Sequence, residues 1–215
     1  EYLNNFEAGI DLRPFANGPL NGISLEASAY YSRGSDFQYY VTNGQTIDMG
    51  FGERPILIRA NISEVEIYGA ELSVNIEITP AVTFYSGYAF ASAEILDYVK
   101  IAANDTIDLA GKTMTDVPRH IINAGLIWTN RFVNAGASFR YTGAAYINDQ
   151  NTVDEILNRD KYPGYPTLDL RFWRPVGKHL KVSLNLQNLF DEKIYDSKFN
   201  VGPGRFITAG LEAGF

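Results

Sequence analysis

In 215 residues, 18 basic and 25 acidic side chains give a formal net charge of −7, and no block of Lys or Arg occurs anywhere. That excludes the basic stripe on which nucleic-acid affinity depends, so no nucleic-acid partner is expected. The absence of Cys removes disulfides, thiolate metal sites and a cysteine nucleophile, and suits either a reducing cytosol or an envelope protein without disulfides.

The 14 Tyr, 13 Phe and 2 Trp favour surfaces that are half wet and half apolar. No run reaches the roughly 18 apolar residues of a transmembrane helix. There is no initiator Met and no signal peptide. The chain opens in strand-like alternation, "EYLNNFEAGIDL", which reads as a start in the middle of a longer polypeptide.

Period-2 alternation dominates and predicts nine strands, at about 2–12, 23–41, 57–79, 82–97, 119–129, 132–146, 165–174, 180–190 and 205–215. In 66–79, Tyr68, Ala70, Leu72, Val74, Ile76 and Ile78 alternate with Gly69, Glu71, Ser73, Asn75 and Glu77. In 180–190, Leu180, Val182, Leu184 and Leu186 face away from Lys181, Ser183, Asn185 and Gln187.

The connections take turns in length. Short ones fall at 13–22, 79–81, 130–131 and 174–179, and long ones rich in Asn, Asp, Gly and Thr at 42–56, 98–118, 147–164 and 191–204. Tight turns at one end and long loops at the other are the pattern of a transmembrane antiparallel β-barrel. The polar face carries Glu71, Glu77, Asp169, Arg171 and Glu212, as a wet lumen would, with Asp169 and Arg171 placed to pair. Trp128, Trp173, Phe132, Phe172, Phe190, Tyr141 and Tyr146 are expected to cap the apolar face near strand ends, as interfacial girdles do. A large β-sandwich with one polar face is the competing architecture. Bacterial single-chain barrels are even-stranded, so nine strands point to the C-terminal part of a larger barrel.

"NLQNLFDEKIYD" (185–196) followed by "GPGRFITAGLEAGF" (202–215) resembles the end of TonB-dependent outer-membrane receptors. The matching residues are Asn188, Leu189, Phe190 and Asp191, then Pro203, Gly204 and Arg205, then Phe215. Gly69 and Glu71 match the family's Gly-x-Glu strand, and "DVPRHIINAGLIW" (116–128) resembles its Val-Pro-x-His strand start.

The resemblance implies an all-β chain forming the last nine strands of a barrel of about 22, in the outer membrane of a Gram-negative bacterium. Residues 1–215 would then be the C-terminal barrel portion. The implied partners are outer-membrane lipid, the plug domain and earlier strands, TonB acting through the plug, and a nutrient chelate. The implied function is uptake of siderophore-iron or a cobalamin-like cargo, and the alternative is a structural or adhesive barrel without transport. Gly210, Leu211, Ala213 and Phe215 would form the tag read by the assembly machinery. Ala209 stands where the family pattern has a polar residue.

Enzyme signals are poor, and no cofactor is implied. His120 and His179 fall at opposite barrel ends, so no metal or haem pair is expected from them. No Gly-x-Ser-x-Gly elbow occurs. "VGPGRF" lacks the Gly-Lys-Ser/Thr ending of a phosphate loop and reads as a turn. Residues 148–160 have closely spaced carboxylates but lack the Gly and Glu of a calcium loop, so a solvated loop is expected. The acceptor patterns at Asn61 and Asn104 are set aside in a bacterial envelope protein.

The long loops are the expected recognition surface. Candidate ligand contacts are Tyr98, Asp105, Asp108, Tyr146, Asp149, Tyr162 and Tyr195, with Asp116, Asp154, Asp160 and Asp196 nearby. Tyrosines suit a flat ligand, and the acidic groups favour a neutral or cationic cargo over a strongly anionic one.

Overall fold

The computed structural model describes all residues except 1, 14–21, 51, 103–104, 156, 198–199 and 215. In chain order the first strands are β1 (Tyr2–Leu12), β2 (Ile23–Asp48), β3 (Glu53–Thr79), β4 (Val82–Asp97), β5 (Val99–Ala102), β6 (Asp105–Asp108), β7 (Lys112–Thr113) and β8 (His120–Trp128). They are followed by β9 (Asn134–Thr142), β10 (Ala145–Tyr146), β11 (Lys161–Tyr162), β12 (Tyr165–Val176), β13 (Leu180–Gln187), β14 (Tyr195–Ser197), β15 (Asn200–Val201) and β16 (Phe206–Ala213). Nine of these form one antiparallel meander in the order β1-β2-β3-β4-β8-β9-β12-β13-β16, which is open, with β1 and β16 at its edges. The other strands are short and belong to the long connections.

Register turns the sequence alternation into two chemically distinct faces. One row across the sheet runs Ile23, Ile76, Phe84, Leu126, Ala137, Leu170, Leu186 and Ile207, each paired with the next. The adjacent row runs Ser24, Asn75, Tyr85, Gly125, Ser138 and Asp169. Side chains in one row share a face and successive rows point oppositely. The apolar face is bare, with Ile10 62% and Leu211 71% exposed.

Several elements differ from the sequence expectation. Residues 42–56 are mostly the continuation of the β2–β3 hairpin, whose strands are 26 and 27 residues long. β-branched and aromatic residues in 37–47 and 54–62 keep the extended conformation going, and glycines with positive φ, Gly50 and Gly52, stand at the tip. The strand expected at 132–146 ends at Thr142. The one expected at 180–190 ends at Gln187 because Asn188 turns the chain with φ 49°. Trp173 does not cap the apolar face. It pairs with Asn134 and Ser183 on the polar one.

On that polar face, aromatic rings lie over glycines. A Cβ at Gly69 would overlap the Tyr30 ring, and one at Gly125 the Tyr85 ring. The glycine removes a side chain so that its cross-strand aromatic partner packs on bare backbone. Gly125→Val is expected to displace Tyr85 at a cost of about 1–3 kcal/mol. In the folded protein this lowers the temperature at which the folded, heat-modifiable gel band is lost, and adding Tyr85→Ala recovers most of the loss.

Candidate functional site

A wall with lipid on one side and a lumen on the other has no interior of its own. The buried apolar cluster lies instead at the long-connection end, where Val65, Ala93, Ile95, Tyr98, Leu109 and Met114 pack together. Val65 comes from the middle of the long β3, and Ala93 and Ile95 from the end of β4. Residues 108–118 fold back over them. Gly111 N–H donates to Ile95 O at 2.8 Å, and Met114 N–H to Ala93 O at 2.9 Å. The β7 segment pairs with β4, which presses Leu109, fully buried, onto the cluster. Asp108 stays exposed, with Oδ1 accepting from Ala110 N–H at 2.9 Å.

The next connection is clamped to this one through Asn151. Its Oδ1 accepts from Thr113 N–H at 2.7 Å and its Nδ2 donates to Thr113 O at 2.8 Å. Asp116 N–H donates to Tyr146 O. Within 148–160 the chain is folded rather than solvated, with Asp149 and Asp154 buried. Asp154 Oδ1 accepts from Leu157 N–H at 3.0 Å. The third connection joins by ring stacking, Tyr195 on Tyr162 with centroids 5.8 Å apart. Three long connections therefore make one cap.

Of the candidate contacts, Tyr98, Asp149 and Tyr162 are buried within this cap. Tyr146 is half-buried beneath Lys161, whose Nζ lies 4.2 Å from its ring centre. Tyr195 is half-buried. Asp105 pairs with Ala102 in the β5–β6 hairpin, and its side chain, like that of Asp196, lies outside the described residues. Asn151, Leu109 and Met114 were not singled out by the sequence. Asn151 carries one weak signal, an Asn in a loop, which suits its φ of 57°.

The Asn-Leu-Phe-Asp run is a structural staple. Asn188 N–H donates to Asp169 Oδ1 at 2.8 Å, its side chain bridges to the Glu192 backbone in both directions, and Asp191 Oδ1 accepts from Arg205 N–H at 2.7 Å. This ties β12, β13 and the start of β16 together. It also engages Asp169, and among the described residues no ion pair joins Asp169 to Arg171 as expected. His120 Nδ1 lies 2.9 Å from Tyr88 Oη, while His179 Nδ1 lies 2.9 Å from Gly214 O at the other end of the wall. Among the described residues no three His, Cys, Asp or Glu side chains converge for a metal ion.

These features define a segment of transmembrane β-barrel wall with an ordered cap at its long-loop end. The chain matches the model of the TonB-dependent receptor-like β-barrel over residues 1–189, and it belongs to that family, whose members lie in the Gram-negative outer membrane. It is 26% identical over 159 residues to the iron-regulated outer membrane virulence protein of Vibrio cholerae, covering 73% of this chain and 22% of that protein. It is also 26% identical over 160 residues to the metal-pseudopaline receptor CntO of Pseudomonas aeruginosa, covering 69% and 20%. The siderophore receptor PiuA of Acinetobacter baumannii superposes with a TM-score of 0.67 at 18% identity, covering 98% of this chain and 27% of that one. The chain thus spans about a fifth of the length of its curated relatives.

Two outcomes test the cap. Asn151→Ala leaves both Thr113 backbone groups unpaired, at about 1–3 kcal/mol, and speeds hydrogen exchange in 109–116. Asn151→Gly, which accepts the positive φ, gives the same loss. Burial, then Asp149, holds the Tyr98 phenol above its usual range. Burial, then Asp116 and Asp154, does the same to Tyr162. The unfolded phenols ionise near ~10, so this contribution to stability is fully present below that pH and is lost as pH rises through the folded-state values. Ultraviolet titration of tyrosinate in the folded protein is expected to lose one late-ionising group in Tyr98→Phe and another in Tyr162→Phe.

Proposed function

We propose that this chain forms part of the wall and extracellular cap of an outer-membrane receptor that takes up a scarce nutrient chelate, siderophore-iron or cobalamin-like. The plug domain and the earlier strands of the barrel lie outside residues 1–215. Loops and lumen bind the cargo selectively, and TonB, acting through the plug, drives its release inward. The carrying observation is the apolar row spanning eight strands beside a polar row, topped by an ordered cap. Relatives whose names refer to iron regulation, metal-pseudopaline and siderophores support the metal-chelate reading.

Within the cap, Asp105, Asp108, Tyr146 and Tyr195 contact the ligand, while Tyr98, Asp149 and Tyr162 fix the shape of the surface that presents them. At the other end, Gly210, Leu211 and Ala213 on β16, with Phe215 beyond the described residues, serve the assembly machinery.

The full receptor, purified from metal-starved cells, is expected to carry a metal chelate detectable by mass spectrometry. Deleting its gene is expected to abolish growth on that chelate as sole source of the metal. A deletion strain with unchanged uptake of every ferric chelate and of cobalamin would instead indicate a structural or adhesive barrel.

A further inference from the structure

Among the described residues, charge on the lipid-facing side of the wall sits only near its two ends, and the ends differ in sign. At the long-connection end Arg33 pairs in register with Glu66, and Glu66 with Glu94. Arg33 Nε also donates to Glu64 Oε1 at 2.6 Å, so carboxylates outnumber the one cation there. At the short-turn end no carboxylate shares the outward face with the cation. Arg174 lies four positions after Leu170 with no bulge between, and it pairs with Val182, itself paired with Leu211. Arg174 is exposed. The last pair of β12 with β9 is Trp173 with Asn134, so Arg174 stands level with Val133, just beyond β9 and beside the β8–β9 turn. That turn carries Arg131, also exposed, its Cζ 4.5 Å from the Phe132 ring centre.

Strand spacing and rise put the two arginine backbones about 10 Å apart, close enough for side chains of that length to share one ligand. The ion pairs among the described residues use neither of them, nor Lys178 in the next turn. Carboxylates at this end, such as Glu77 and Glu212, belong to the lumen face, and Glu212 holds Lys181 at 3.1 Å. One row toward the membrane interior lie Trp128, Ala135, Phe172 and Leu184, each paired with the next. Trp128 is 40% and Phe172 36% exposed. Cations at a rim above bare aromatic and aliphatic surface match the two halves of a lipid, charged head and apolar chains.

We propose that Arg174 and Arg131 bind the phosphodiester of an anionic, amine-free glycerophospholipid in the leaflet beside the short turns, its acyl chains lying on Phe172, Trp128 and Leu184. A guanidinium takes phosphate oxygens bidentately. Charge selects the headgroup. A zwitterionic lipid brings an ammonium that meets two guanidinium groups and no carboxylate, whereas a glycerol headgroup brings none. The apolar row selects a lipid over a soluble phosphate, which would leave that surface uncovered. The site needs only the membrane-spanning wall, so it goes beyond the uptake reading and does not depend on the cargo.

The test titrates the full-length protein, folded in neutral detergent, with phosphatidylglycerol or phosphatidylethanolamine and reads bound lipid by native mass spectrometry. Preferential retention of phosphatidylglycerol is expected. Arg174→Gln or Arg131→Gln is expected to weaken it about fivefold, and the pair together about thirtyfold, with heat-modifiable mobility unchanged. Arg33→Gln, at the other end of the wall, leaves the preference intact. A second readout keeps both arginines. Phosphatidylglycerol with brominated acyl chains is expected to quench tryptophan fluorescence more than equally brominated phosphatidylethanolamine, and Trp128→Phe removes the difference. Equal binding of the two lipids, a preference that survives loss of both arginines, or a quenching difference that survives Trp128→Phe overturns the site. Displacement of phosphatidylglycerol by glycerol phosphate assigns the arginines to a soluble phosphate, which overturns it as well.

Discussion

Backbone N–H and C=O groups in contact with lipid find no water, so each must be paired within the protein, and the ladder from β1 to β16 meets that demand for every strand between its two open edges. The same ladder fixes register, and register fixes which side chains meet lipid. A slip of one residue would turn Ile76, Phe84 and Leu126 to the lumen and bring Asn75, Tyr85 and Gly125 to the lipid. Every other feature of the molecule is arranged around that constraint. Glycines under aromatic rings let large lumen residues lie close to the ladder without breaking it, and the Asn188 staple ends β13 where its pairing with β12 must stop.

Where the membrane constraint ends, ordinary globular packing takes over. Above the wall the chain buries Val65, Ile95 and Leu109 completely, something no residue on the wall's apolar face needs to do. The cap is held by backbone-directed hydrogen bonds from Asn151 and by stacked tyrosines. It is therefore a small folded unit that a rigid scaffold carries, and its polar groups are spent largely on each other. That explains why acidic and phenolic residues are abundant in these connections while several of them are buried.

The wall was legible because lipid contact leaves a simple trace: period 2, with one face apolar. All nine strands could be placed from that trace, and the ends at Leu12, Thr79 and Asp97 fall where alternation stops. Structure departs from the sequence pattern where alternation is ambiguous. Residues 42–56 contain Asn, Gly and Thr that suggest a loop, yet two long partners in register keep them extended. The hydrophobicity of Trp173 suits the apolar face, whereas its odd position beside Asp169 and Arg171 puts it in the lumen. Of the candidate site, the sequence supplied the residue types but not their directions. Tyr98 is buried where Leu109 packs with it, and Tyr162 is buried where the Tyr195 ring stacks on it.

The number of strands in the wall, its two faces, and the family motifs at 69–71 and 188–205 are all readable along the chain. These are local properties, written in neighbouring residues by the pleat of a strand and the chemistry of its solvent. The joining of the three late connections into one cap, and the engagement of Asp169 by Asn188 with no ion pair to Arg171 among the described residues, arise only in the folded sheet. Those outcomes depend on which groups meet across tens of residues of chain. That is settled by competition for hydrogen-bond partners in the folded sheet and by no pattern along the sequence.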